Sequence, residues 1–102
     1  MGKSKKKEML TEGKLILKLY VSGMSPKSME AIENINRLCA EYLEDSFDLE
    51  IIDLYKHPEL AAEQQIVFSP SLIKRLPLPK KTLVGTFSDK DKVIKGLGIS
   101  FK

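Results

Sequence analysis

Apolar residues set the first half of the chain. Leu15-Ile16-Leu17-Lys18-Leu19-Tyr20-Val21 is a nearly unbroken apolar run that stops at Ser22-Gly23. Its length and turn-forming end predict a buried strand. From Pro26 to Leu43 the period lengthens. Ala31, Ile32, Ile35, Leu38, Cys39, Tyr42 and Leu43 fall on spacings of three and four, which predicts an amphipathic helix. Ser25 suits its N-cap and Pro26 its first helical position. Residues 47–54 (Phe47-Asp48-Leu49-Glu50-Ile51-Ile52-Asp53-Leu54) begin in strict alternation and turn apolar, as a second strand would. Strand, helix and strand in this order form a βαβ unit, long enough for parallel pairing with a right-handed crossover.

The second half is less regular. Pro58-Glu59-Leu60-Ala61-Ala62-Glu63 predicts a short helix after His57. Ile66-Val67-Phe68 is β-prone, Ser69-Pro70-Ser71 interrupts it, and Leu72-Ile73 resumes. Leu76-Pro77-Leu78-Pro79-Lys80-Lys81 cannot be regular structure, because each proline removes a backbone donor. Residues 82–87 read as another strand. Ser88-Asp89-Lys90-Asp91 resembles a capping box, with Val93, Ile94 and Leu97 lining a last helix. The order is βαβαββα, an α/β fold closed by a hairpin and a helix.

Composition narrows what such a fold does. A length of 102 residues, 42% hydrophobic and 30% charged, fits one globular domain. The domain is expected over residues 14–102, behind a basic tail at 1–13. The net charge of +3 resides in residues 1–14, where five lysines face Glu8 and Glu12; the remainder balances twelve basic against twelve acidic residues. The folded part therefore lacks the charge of a nucleic-acid binder. The lysine-rich start reads as a solvated terminus, with contact to phosphates or acidic lipid as the alternative. No apolar run is long enough to cross a membrane, and none resembles a secretory signal, so a cytoplasmic setting is expected. Cys39 is the single cysteine, which excludes an internal disulfide and a two-cysteine redox motif.

The element order resembles the thioredoxin-like fold. Its redox members carry Cys-x-x-Cys at the head of the first helix, where this chain has Ser25-Pro26-Lys27-Ser28. They also place a cis-proline before the third strand, and Ser69-Pro70-Ser71-Leu72 occupies that position. A hydroxyl cannot replace a thiolate in disulfide exchange. Cys39, on the apolar stripe, reads as a small buried hydrophobe.

Further segments resemble the KaiB family of clock proteins: Leu17-Lys18-Leu19-Tyr20-Val21-Ser22-Gly23 with Ser25-Pro26, Ile52-Asp53-Leu54, Pro58-Glu59-Leu60-Ala61, Ser69-Pro70-Ser71-Leu72-Ile73-Lys74, Leu76-Pro77-Leu78-Pro79, Val84-Gly85 and Lys92-Val93-Ile94-Lys95-Gly96-Leu97. The resemblance spans roughly residues 14–98. It implies a non-catalytic, cofactor-free protein that docks on a KaiC-like ring ATPase, a hexamer, and helps time its phosphorylation cycle. It also implies a second fold, βαββααβ, in a homo-oligomer (tetramer or dimer). Two departures weigh on a circadian role. The family's basic residues after the prolines appear as Lys80 and Lys81, followed by Thr82, and the end after Gly96 is short.

Candidate residues follow. Lys74, Arg75, Lys80 and Lys81 form a basic group around the proline loop, either a partner contact or a solvated loop. Pro70, Pro77 and Pro79 set loop shape. Gly96 and Gly98 weaken a helix by about 1 kcal/mol each, and Val93, Leu97, Ile99 and Phe101 alternate as a strand would. Residues 58–102 thus carry the conflicting local preferences of a switchable segment. Ser25 and Ser28 read as helix caps, with a glutathione-transferase-like use of Ser25 as the enzymatic alternative; a free-standing relative of a kinase sensory domain is the other. His57 reads as a surface residue, and Tyr20, Tyr55 and Phe87 as core or interface aromatics.

Overall fold

The computed structural model describes residues 15–42 and 47–98. The expected tail at 1–13, Leu43, Ile99 and Phe101 lie outside these, as does the side chain of Tyr42. The apolar run becomes strand β1 (Leu15–Val21), followed by helix α1 (Pro26–Tyr42) and strand β2 (Phe47–Asp53). Next come helix α2 (Glu59–Glu63), strands β3 (Ser71–Leu76) and β4 (Lys81–Val84), and helix α3 (Lys90–Leu97). The order is βαβαββα.

One four-stranded sheet has the order β2-β1-β3-β4. β1 and β2 run parallel, as a βαβ unit requires, while β3 is antiparallel to both of its neighbours. Strand alternation then sorts the residues. Leu15, Leu17, Leu19 and Val21 join Leu72 against Ala31, Ile35, Leu38 and Cys39 of α1 and Val93 and Leu97 of α3. Tyr20 joins Ile52 and Ile73 on the opposite face, where Leu60 of α2 and Ile66 give partial cover. The amide of Asn34 donates to the Thr86 carbonyl at 2.9 Å and ties α1 to the loop between β4 and α3.

Ser25 caps α1 as expected: its hydroxyl accepts from the Ser28 backbone N–H at 3.2 Å, and its carbonyl accepts from Met29 N–H. Three local expectations need correction. Ile66-Val67-Phe68 is not a strand. Gln65 takes a left-handed φ of 57°, and Ile66 N–H donates back to the Ala61 carbonyl while Gln65 N–H donates to Ala62. That is a Schellman ending of α2, and it uses the donor a strand would need. The last helix is capped by Asp89, not Ser88; its carboxylate accepts from Lys92 N–H at 3.3 Å and suits the positive helix end. The strand expected over 82–87 is β4, which ends at Val84.

Candidate functional site

Parallel pairing aligns the ends of β1 and β2, and the antiparallel β3 starts at that same end. Ser22, Asp53, Ser69 and the head of α1 therefore meet. Ser25 Oγ donates to Ser28 Oγ at 3.0 Å, and Ser28 Oγ in turn donates to the Ser22 carbonyl at 3.4 Å. The hydroxyls of Ser22 and Ser69 lie 2.5 Å apart, and Ser71 Oγ donates to the Phe68 carbonyl. The Ser69-Pro70 peptide is cis, as are Leu76-Pro77 and Leu78-Pro79. Every group at the position of a redox pair is thus a hydroxyl already bound to a neighbour. Cys39 is elsewhere, in the core, and burial pushes its thiol up to about 11. A thiol held protonated and covered is a poor nucleophile.

Asp53 was not singled out by the sequence pattern. Its carboxylate accepts from the N–H groups of Gly23 and Tyr55, both at 2.9 Å, and these bonds hold it below the ordinary aspartate value. The signal was available in topology, since register places Val21 opposite Asp53 and so brings the Gly23 turn to that strand end.

The four basic residues expected around the proline loop do not form one surface. Lys80 and Lys81 are exposed. Lys74, expected to be a surface charge, is corrected: it is 1% exposed and stands on the helix-covered face, between Leu17 and Lys81 in register. Burial, and then the Lys81 ammonium, hold Lys74 below the ordinary lysine value. Arg75 goes to the other face. The β1–β3 register steps between Ile16 and Leu17, pairing them with Leu76 and Lys74, so Arg75 has no β1 partner. It is the extra residue of a β-bulge.

The remaining candidates separate by burial. Pro70 is buried, and Pro77 and Pro79 are exposed. Gly96 lies inside α3, where a Cβ would meet Leu83 Cδ2 at 2.6 Å, and Gly98 caps that helix at φ 69°. Tyr20 and Phe87 are buried, whereas Tyr55 and His57 are exposed. Among the described residues no group of His, Cys, Asp or Glu could hold a metal, and no helix is long and apolar enough to cross a membrane.

These features define a thioredoxin-like domain whose redox position holds hydroxyls instead of sulfur. The solution structure of the N-terminal domain of Synechococcus elongatus SasA superposes with a TM-score of 0.68 at 22% identity, covering 83% of this chain and 84% of that one. Thioredoxin from Fasciola hepatica gives 0.68 at 14% identity, over 93% of this chain and 88% of that one. Residues 18–99 match the KaiB domain family. Circadian clock protein KaiB3 of Synechocystis sp. is 43% identical over 86 residues, 84% of each chain. Circadian clock oscillator protein KaiB of Cyanothece sp. is 37% identical over 87 residues, 85% of this chain and 83% of that one. The chain belongs to the KaiB family.

Proposed function

We propose that this protein is a non-catalytic clock or timing regulator that binds a KaiC-like hexameric ATPase and modulates its phosphorylation cycle. The observation that carries the non-catalytic reading is Ser25 and Ser28 in place of a redox pair, with their hydroxyls 3.0 Å apart and the only sulfhydryl buried in the core. Family membership supplies the partner class. Lys80 and Lys81 are the exposed cations at the proline loop and form the contact with an acidic surface of the ring. Lys74 supports them from beneath.

The enzymatic alternative gains nothing from Ser25, whose oxygen is engaged as the α1 cap. The sensory-domain reading predicts a monomer with one fold. Against it stand local conflicts in the second half that support a second, oligomeric βαββααβ state. Phe87, a bulky residue, sits at φ 62°, and Gly96 and Gly98 occupy the last helix and its cap.

Size-exclusion chromatography of the full chain with a KaiC-like hexamer and ATP tests the main reading. Co-elution is expected, weakened at least tenfold by the double change Lys80→Glu and Lys81→Glu. Absence of a complex, or disulfide reductase turnover by the protein alone, overturns it. NMR across a dilution series tests the second state: two slowly exchanging peak sets for residues 58–98 are expected, and a single set at every concentration removes it.

A further inference from the structure

The sheet face opposite α1 and α3 carries a cavity of about 490 Å³ between β2, α2 and the β3 bulge. Its size falls within the range of small-molecule sites. Ile52 and Leu60 supply apolar wall, and Lys18, Tyr20, Lys56 and Arg75 contribute to the lining. The two carboxylates that line it are both engaged. Glu50 pairs with Lys18 at 2.5 Å, and Asp53 accepts two backbone N–H groups. The Arg75 side chain has no hydrogen bond or ion pair among the described residues, although it lines this cavity.

Tyr20 makes the second, independent observation. It is 2% exposed, lines the cavity, and its hydroxyl has no hydrogen-bond partner among the described residues. No buried side-chain oxygen or nitrogen there is left both unpaired and sealed from solvent. The sliver of Tyr20 that stays open therefore includes its hydroxyl. A hydroxyl at the cavity wall with no protein partner can exchange its water for a ligand oxygen.

We propose that this cavity binds the phosphate group of a small phosphomonoester. A phosphate oxygen pair suits the planar Arg75 fork, a third oxygen takes the Tyr20 hydroxyl as donor, and Lys56 adds charge at the rim. The organic part lies on Ile52 and Leu60. The site is independent of the Lys80–Lys81 contact, which lies at the proline loop.

The full chain, labelled with nitrogen-15, is titrated with ribose 5-phosphate, with inorganic phosphate and with ribose. Ribose 5-phosphate is expected to give saturable shifts at the amides of Lys18, Tyr20, Ile52 and Arg75, with ribose silent and inorganic phosphate weaker. Arg75→Gln is expected to weaken binding about tenfold, and Tyr20→Phe several-fold. Lys56→Gln, at an exposed site, gives a smaller loss and tests the charge where the Arg75 variant fails to fold. Shifts confined to the lysines of residues 3–7, absence of saturation at millimolar ligand, or equal affinity for ribose overturns the proposal. So does unchanged affinity in folded Arg75→Gln and Lys56→Gln.

Discussion

On β1, Leu15, Leu17, Leu19 and Val21 meet two helices, while Lys18 and Tyr20, one residue along, meet a five-residue helix and an open cavity. The same strand therefore serves two environments. On the covered face, burial of each leucine contributes about 2–3 kcal/mol. The other face has three buried apolar members, Tyr20, Ile52 and Ile73, and spends its remaining positions on charge. Stability is concentrated on one side, which leaves the other free to carry recognition.

The largest effect expected from this contrast is in the core. Leu19→Ala, at 0% exposure between α1 and the sheet, is expected to cost about 3–4 kcal/mol in urea unfolding. Ile73→Ala, in the small cluster with Tyr20 and Ile52 where neighbours can relax, is expected to cost about 2 kcal/mol. Equal losses would erase the distinction between the faces.

A smaller effect sharpens where the covered face ends. Alanine at position 96 gains about 1 kcal/mol of helix propensity. Its Cβ would stand 2.6 Å from Leu83 Cδ2, however, and overpacking costs about 1–3 kcal/mol. Gly96→Ala is expected to be net destabilising by about 1 kcal/mol in the same unfolding measurement. Stabilisation would mean that α3 does not press on the edge strand β4.

The first half was legible because its signals agree. Seven apolar-rich residues, a capped stripe of period 3.6 and a second strand each admit one local structure, and together they fix a βαβ unit. The hydroxyls at Ser25 and Ser28 were legible for the same reason, since the helix start was clear. The second half hid more. Ile66 is β-prone, but the turn at Gln65 takes its N–H for a helix ending. Ser88 and Asp89 are both good caps, and only the start of α3 at Lys90 decides between them. The basic group is divided by strand alternation: Lys74 shares the covered face of Leu72 and Arg75 the open face of Ile73, and a step of one residue would exchange the two.

Lys74 offers the smallest and most direct test of that exchange. A cation on the covered face, opposite Lys81, has lost water and gained a like charge; no carboxylate among the described residues pairs with it. Its folded pKa lies below 10.5, so between the folded and the unfolded pKa the unfolded chain binds more protons. Stability must then rise with pH as Lys74 loses its proton in the folded state, and the gain levels off once the unfolded lysine titrates near 10.5. Lys74→Met keeps the unbranched stem and removes the charge. It is expected to raise stability at pH 7 by about 0.5–1 kcal/mol and to flatten the alkaline rise in urea unfolding just below pH 10.5. Arg75→Met, on the open face, is expected to change neither. If the two variants behave alike, strand alternation does not separate these neighbours, and the contrast between the two faces fails at the strand where it is sharpest.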